Sequence, residues 1–189
     1  ITKDATIREI HHRVKNNLQT VASLLRIQAR RTHSDEARDA LTQAMRRVDA
    51  IAVVHDTLAQ GLTQKVDFDE VFHRVLKLVA EVASAPNTRA RTRSTGRFGV
   101  LPSEYATPLA LALTEVVTNA VEHGLAGQEG MVTIDAARTE ENLRVTVHDT
   151  GKGLPEGRIG QGLGTQIIRT LIQGELSGSI EWRGSEGEG

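Results

Sequence analysis

Near the start of the chain, Arg8–Leu18 reads REIHHRVKNNL. His12 and Asn16 are four residues apart, so on a helix they lie on the same face. Basic side chains stand on both sides of His12 and suit a polyanionic reaction partner such as a nucleotide phosphate. The stretch is therefore a candidate for phosphate chemistry, provided that the remaining residues bind a phosphate donor.

Apolar residues around this stretch recur every three or four positions, which is the period of an amphipathic helix. They predict one helix over residues 4–31 and, after a break at 32–35, a second helix that ends at Gly61. Ser34 is a suitable cap for the second helix. A single hairpin buries its two apolar stripes poorly, whereas two hairpins form a four-helix bundle. We therefore predict an all-α helical hairpin that assembles as a homodimer.

The remainder of the chain has the pattern of an α/β domain. Little pattern is present at Leu62–Val66, which we interpret as a hinge. Helices are predicted over 68–83, 104–124 and 165–176, and strands over 91–95, 131–137, 143–148 and 179–182. This order predicts an α/β sandwich with helices on one face of a mixed sheet. The predicted domains are residues 1–62, the helical hairpin, and residues 63–189, the α/β domain.

Composition excludes several classes of protein. Cysteine is absent, which excludes disulfides and thiolate chemistry and fits a cytoplasmic location. The net charge of −1 gives no indication of direct nucleic-acid binding. The sequence contains no apolar run of the ~20 residues that a membrane span needs. Because the chain begins at Ile1 rather than at Met, we expect further protein before it.

Three polar residues share one side of the helix predicted over 104–124. Glu115, Asn119 and His123 are spaced by four, away from the apolar positions of the same helix. Oxygen ligands on a rigid element are what a hard cation needs, and Glu115 could equally polarise a water molecule. An ordinary solvated helix face gives the same pattern, so this stripe alone decides nothing.

Two glycine clusters follow. Asp149 stands at the end of a predicted strand, and Gly151 and Gly153 come directly after it. Its carboxylate can accept a hydrogen bond from an exocyclic amine, and the glycines let the backbone approach a flat base. Asp-x-Gly is also a common turn. The second cluster, residues 160–165, reads GQGLGT and opens a predicted helix, where backbone N–H groups and glycines favour phosphate binding.

In this order the motifs resemble those of sensor histidine kinases. Residues 104–182 resemble the ATPase module shared with gyrase, heat-shock protein 90 and MutL, called the GHKL or Bergerat fold. The matching stretches are the asparagine box EVVTNAVEH at 115–123 and the glycine boxes DTGKG at 149–153 and GLGT at 162–165. Residues 7–60 resemble the dimerisation and phosphoacceptor hairpin, with HHRVKN where most members have His-Glu-Leu-Arg-Thr-Pro-Leu.

The resemblance implies a role for each matched residue. It implies that ATP and Mg²⁺ are bound, with Asn119 as the Mg²⁺ ligand and Glu115 near the γ-phosphate, as a base or through an Mg²⁺-bound water. Asp149 would bind the adenine amino group. The resemblance also assigns nucleotide contacts to the following residues: His123, Gly151, Gly153, Gly162, Leu163, Gly164 and Thr165.

The resemblance also implies a reaction. His12 would be the nucleophile, with His11 as the rival acceptor, and the phosphoryl group would pass to an aspartate on a response-regulator receiver domain. The HHRVKN box is similar to that of soluble mycobacterial-type kinases that signal to RNA-binding antiterminator (ANTAR) regulators. A sensor domain would precede residue 1, and because the family usually continues past a point equivalent to Gly189, we expect an incomplete sheet edge there.

Two other functions remain open from the sequence. One is an ATP-dependent conformational switch without histidine phosphotransfer, as in the gyrase and chaperone relatives; the HHRVKN box argues against it, because those proteins lack such a box. The other is a dimerisation or binding module without catalysis. Retention of Glu115, Asn119 and Asp149 together argues against this second alternative.

Overall fold

The computed structural model describes residues 3–59, 65–83, 90–121, 129–150 and 163–184. The chain divides into two compact units, Ile1–Gln64 and Lys65–Gly189. The first unit consists of two long helices, and the second combines helices with a mixed sheet. The predicted succession of an all-α part and an α/β part is therefore confirmed.

The first unit is an antiparallel helical hairpin of α1 (Lys3–Arg31) and α2 (Asp35–Ala59). The predicted cap is present, since the Ala37 N–H donates to the Ser34 hydroxyl at 3.3 Å. Ion pairs link the two helices, and one of them joins Lys15 Nζ on α1 to Asp56 Oδ1 on α2 at 3.2 Å.

Within one chain, the hairpin leaves an apolar strip uncovered along α1. Four large side chains are between 43% and 58% exposed: Ile10, Val21, Leu24 and Ile27. Two helices cover one another along a single seam, so a second apolar stripe stays open unless another element packs on it. We call these four residues the α1 strip.

The second unit contains a two-stranded ribbon and a three-stranded sheet. In the ribbon, β1 (Lys65–Asp67) pairs antiparallel with β3 (Val100–Pro102). In the sheet, β2 (Ala90–Gly96) runs parallel to β4 (Gly130–Arg138), and β4 runs antiparallel to β5 (Leu143–Asp149). The sheet is therefore mixed, as the sequence predicts.

The helices of the second unit contact one another in one layer. α3 (Phe68–Ala83) and α5 (Leu163–Arg169) both contact α4 (Ser103–Asn119). After α5 the backbone continues as a wider π-helical turn over Thr170–Glu175, which also contacts α4. Eight of the 17 residues of α4 are buried, and α3, α5 and the π-helical turn all contact it, so α4 is the central helix of this layer.

The core of the second unit is aliphatic around one aromatic cluster. The chain has three Phe, and all three meet there: the Phe98 ring lies 5.0 Å from that of Phe68 and 4.7 Å from that of Phe72. On β4, the side chains of Val132 and Ile134 are fully buried, whereas the next residue, Asp135, is exposed. This alternation means that the sheet has one covered face and one open face.

One carboxylate joins α3 to the turn between β2 and β3. The Asp69 oxygens accept hydrogen bonds from the backbone N–H groups of Phe98, at 2.9 Å, and Gly99, at 3.0 Å. Asp69→Ala would leave both N–H groups unpaired, at about 1–3 kcal/mol each. We expect the free energy of unfolding of this unit to fall by about 2–4 kcal/mol, measured by urea unfolding with the fluorescence of Trp182, the chain's single tryptophan.

The matched control is Glu70→Ala, one residue further along α3 on an exposed side chain. It should change the free energy of unfolding by no more than about 0.5 kcal/mol. Equal urea midpoints for the two variants would contradict the assigned role of Asp69.

Two predictions about strands are wrong. Lys65 and Val66, predicted as part of a hinge, belong to β1, because they pair with the unpredicted strand β3; residues 62–64 lie outside the described residues. The predicted strand at 179–182 is neither strand nor helix. Its neighbours bond locally instead: the Gly178 N–H donates to Ile172 O at 2.8 Å, and Arg183 pairs with Glu181 at 3.0 Å.

Helix ends also differ from the predictions in detail. The helix predicted over 165–176 begins at Leu163 and changes to the π-helical turn at Thr170. The helix predicted over 104–124 is α-helical only to Asn119, and residues 122–124 lie outside the described residues. Because the ends of helices depend on tertiary contacts, local sequence specifies them least well.

Candidate functional site

Few buried side chains in the described parts of the chain are polar or charged, and they are Thr114, Glu115 and Asp149. The Thr114 hydroxyl donates to the Ala110 carbonyl at 2.7 Å, an ordinary bond within a helix. The two carboxylates are different, because removing an ionised carboxylate from water is costly unless other groups stabilise it. Buried carboxylates of this kind concentrate at functional sites, and both are residues that the motifs single out.

Asp149 is the last residue of β5 and lies on the covered face of the sheet. Its register partner on β4 is the fully buried Val132, and two residues earlier Val147 pairs with the buried Ile134. Side chains directly opposite in an antiparallel pair lie on the same face. The carboxylate therefore stands at the end of a row of apolar side chains, with only 9% of the residue exposed.

Directly after Asp149, two hydrogen bonds join Thr150 to Met131 on β4. The Thr150 N–H donates to Met131 O at 3.2 Å, and the Thr150 hydroxyl accepts from the Met131 N–H at 3.1 Å. These bonds fix where the chain leaves the sheet. The glycine-rich segment with Gly151, Gly153 and Gly162 follows and lies outside the described residues.

Glu115 and Asn119 occupy the second half of α4. They are four residues apart, so they share one side of the helix. Glu115 is 9% exposed and Asn119 is half-buried. The solvated-face interpretation of this stripe is therefore wrong for Glu115. His123, the third member of the stripe, lies outside the described residues.

The second glycine box begins α5. Leu163 and Gly164 form the first turn of this helix, and Thr165, which follows, is half-buried. Ile168 on the same helix is 1% exposed and anchors α5 in the core. The structure thus places the asparagine box, the strand end at Asp149 and the start of α5 in one unit, with α4 and α5 in contact.

His12 lies in the other unit, on α1, and its side chain is exposed. Its neighbour His11 is half-buried and faces α2, where its ring lies 5.7 Å from that of His55 between centroids. Two of the basic residues near His12 are engaged by carboxylates: Arg13 pairs with Glu9 at 3.4 Å, and Lys15 with Asp56. Of the two adjacent histidines, His12 is the accessible one.

The sequence motifs do not indicate the contact between His11 and His55. Burial, together with the nearby His11, lowers the pKa of His55 from its ordinary value. A signal for the pairing existed, because the spacing Ile7, His11, Val14, Leu18 is the apolar spacing of α1 with a histidine in it.

In the ranges that the structure describes, no three histidine, aspartate or glutamate side chains come together as a metal site would require. Nor does any described helix have the length and apolar character to cross a membrane. Glu115 and Asn119 share one side of α4 and carry carboxylate and amide oxygens that a cation can take as ligands. Hard oxygen donors of this kind fit Mg²⁺, which keeps several water ligands and takes few from protein.

The fold and the site define a class of protein. Residues 9–83 match the family model described as histidine kinase, and residues 78–175 match the model of the histidine kinase-like ATPase domain. The chain belongs to the histidine kinase family. The predicted family and fold class are confirmed.

Individual relatives of the chain are named histidine kinases. The chain is 50% identical to the sensor histidine kinase PdtaS of Mycobacterium tuberculosis strain H37Rv, over 100% of this chain and 38% of that protein. It is 30% identical to the blue-light-activated histidine kinase 2 of Erythrobacter litoralis, over 90% of this chain and 51% of that protein. The chain thus spans about half or less of the length of these relatives.

A solved structure agrees with the same class. The histidine kinase domain of the EL346 blue-light-activated histidine kinase from Erythrobacter litoralis superimposes with a TM-score of 0.67 at 26% identity. The match covers 98% of this chain and 88% of that one. It therefore includes both the helical hairpin and the α/β unit.

Proposed function

We propose that the chain is the kinase core of a two-component sensor histidine kinase, which phosphorylates its own His12 from ATP and passes the phosphoryl group to a receiver-domain aspartate. One observation carries the proposal: the buried charged side chains of the described residues are Glu115 and Asp149. They stand at the matching positions of the asparagine box and the first glycine box. A protein that only dimerised would have no use for two carboxylates buried beside its core.

Asp149 binds the adenine. A carboxylate accepts hydrogen bonds only, and the exocyclic amine of adenine is a donor. Its position at the end of an apolar row suits a flat base, which can lie against aliphatic side chains while its edge meets the carboxylate. Gly151 and Gly153 follow the strand end and let the backbone come close to the base.

Asn119 would hold Mg²⁺ through its amide oxygen, and Glu115, on the same side of α4, would act through a water on the metal or as a base. When bound, Mg²⁺ neutralises charge on the phosphates and on the leaving group. We assign the remaining nucleotide contacts, mainly to the phosphates, to the residues of the motifs: His123, Gly162, Leu163, Gly164 and Thr165.

His12 is the phosphoryl acceptor. In-line attack on a γ-phosphate requires an imidazole nitrogen that is open to solvent, and the His12 side chain is exposed. A bond forms between that nitrogen and phosphorus while the bond from phosphorus to the ADP oxygen breaks, and the ring proton is released to solvent. The opposing choice, His11, has its Nδ1 buried against α2. Catalysis rests chiefly on positioning and charge neutralisation.

The hairpin is also the assembly surface. A second copy of the chain covers the α1 strip, giving a homodimeric four-helix bundle in which apolar side chains replace solvent. A receiver domain, which we propose to be of the ANTAR-linked type, accepts the phosphoryl group from His12. A sensor domain outside residues 1–189 controls the reaction, and we place the reaction in the cytoplasm because ATP is the donor.

The experiment is phosphorylation of the purified chain with γ-³²P-ATP and Mg²⁺. We expect label on the protein that survives alkali and is lost in acid, as phosphohistidine does. ATP hydrolysis without retained label would favour the conformational switch instead. Failure to bind ATP would favour the non-catalytic module and would overturn the proposal.

A further inference from the structure

Outside the nucleotide site, two histidines meet between the helices of the hairpin. The rings of His11 on α1 and His55 on α2 are 5.7 Å apart between centroids and inclined by 43°. Both Nδ1 atoms are buried, and neither has a hydrogen-bond partner among the described residues. A buried polar atom without a partner is normally unfavourable, so the contact between the two rings requires a physical explanation.

The surroundings of the pair discourage a positive charge. The charged groups described beside it are Lys15, one turn after His11 on α1, and Asp56, next to His55 on α2. They are bonded to each other, Nζ to Oδ1 at 3.2 Å, so the carboxylate is already engaged by an ammonium group. Next to His11 in sequence, His12 is exposed and points to solvent. No described carboxylate is therefore left to stabilise an imidazolium at the pair.

The His11–His55 pair lies on the turn of α1 that carries the proposed phosphoryl acceptor, His12. His12 directly follows His11, so any movement of the α1 turn at His11 moves the phosphoryl acceptor as well. An imidazolium on either ring would face a second imidazole ring and would be partly removed from water. Separation of the two helices at this point would relieve both effects.

We propose that the His11–His55 contact is a proton-sensitive clamp on the turn of α1 that carries His12, closed while both imidazoles are neutral and loosened when one takes a proton. In this arrangement His55 is a positioning residue for phosphoryl transfer, because it acts on the acceptor through His11 and α1. The effect on activity rests on the proposed function, whereas the clamp itself is a property of the hairpin alone.

The direction of the pH effect follows from the pKa of His55. Burial, and to a smaller extent repulsion by His11, lowers this pKa from its ordinary value. In the unfolded chain this imidazole takes up its proton at about pH 6.5. Below that pH the unfolded state binds more protons than the folded state, so the hairpin loses stability as the pH falls. The neutral His11–His55 contact contributes its full stability to the hairpin above about pH 7.

The first test is an NMR titration of the histidine rings in the full chain, assigned through the backbone. We expect His55 to titrate below the ordinary value for histidine, which is about pH 6.5. In His11→Gln the titration of His55 should move upward, because the neighbouring imidazole is gone. Titration of His55 at or above that ordinary value in the wild-type chain would overturn the proposal.

The second test compares initial rates of autophosphorylation between pH 5.5 and 8 in the wild-type chain, His55→Phe and the matched control His33→Phe. Phe keeps an aromatic ring and removes the proton. We expect the ratio of the His55→Phe rate to the wild-type rate to rise by about threefold to tenfold as the pH falls through one unit, as for a single titrating group. The ratio for His33→Phe should stay constant.

A ratio for His55→Phe that is independent of pH would show a merely structural contact and would overturn the proposal. The third measurement does not depend on kinase activity: thermal unfolding of the helices by circular dichroism, at fixed protein concentration. Acidification should lower the midpoint of the wild-type chain more than that of His11→Gln. If no phosphorylation occurs at all, the proposed function fails, and the NMR and unfolding results still decide whether the clamp exists.

Discussion

His12→Gln is expected to abolish uptake of label from γ-³²P-ATP while ATP binding stays unchanged. Gln is polar, is a good helix former and fits an exposed position of α1, so the fold of the hairpin should be retained. Its amide nitrogen is no nucleophile, and removing the nucleophile of a covalent mechanism lowers rates by orders of magnitude, about 10⁶ in a well-studied protease. We expect at least about a 10³-fold loss, at the limit of detection.

Two controls separate loss of the acceptor from loss of structure. His33→Gln removes another exposed histidine of the same unit and should keep full labelling. His11→Gln removes the rival acceptor and should also remain labelled at about pH 8, well above the ordinary pKa of histidine. Label that survives in His12→Gln and disappears in His11→Gln would leave the kinase in place and make our choice of acceptor wrong.

Elements with a local periodic pattern could be predicted from the sequence. The apolar spacing of three and four residues along α1, α2 and α3 predicts their extents closely, because each helix forms its own hydrogen bonds and needs only one buried face. Strands depend on partners elsewhere in the chain. β1 and β3 have three residues each and carry no alternation that a sequence could reveal, yet they pair in the structure.

The opposite error at residues 179–182 has the same origin. Gly-Ser-Ile-Glu-Trp alternates as a strand does, but a strand exists only where a neighbouring backbone offers a ladder of hydrogen bonds. In the described residues this segment bonds to its own surroundings, including the Arg169 guanidinium over the Trp182 ring at 5.3 Å. Alternation therefore predicted an extended chain without predicting a sheet.

The sequence predicts which residues form the candidate site, but it does not predict how deeply all of them are buried. The motifs indicated Glu115 and Asp149, whereas a solvated helix face remained an equal interpretation for Glu115. The burial of Glu115 depends on the tertiary packing around α4, which no local sequence pattern contains. For Asp149 the alternation of β5 was sufficient, because Val145, Val147 and Asp149 are two residues apart and share the covered face.

Asp149→Asn should weaken ATP binding and also change which nucleotide is preferred. The wild-type carboxylate accepts a hydrogen bond from the amine at position 6 of adenine, and a hydrogen bond to a charged group contributes about 1.5–3 kcal/mol. Losing that charge corresponds to roughly 10- to 150-fold weaker binding of ATP. Isothermal titration of the full chain with ATP and Mg²⁺, with the kinase made inactive by His12→Gln, measures the change.

Selectivity distinguishes this role from a structural one. Guanine presents a carbonyl oxygen at position 6, which a carboxylate repels and an asparagine side chain can satisfy by donating from its NH₂ group. The ratio of the Kd for GTP to the Kd for ATP should therefore fall by about tenfold or more in Asp149→Asn. A local distortion would weaken both nucleotides alike and leave the ratio where it was.

The matched control is His148→Gln. His148 precedes Asp149 on β5, but its side chain is exposed on the open face of the sheet, because successive residues of a strand point to opposite sides. The affinities of His148→Gln for ATP and GTP should equal those of the wild-type chain. If His148→Gln changed the ratio and Asp149→Asn did not, the register of β5 on β4 would be wrong by one residue, since such a shift moves every side chain to the other face.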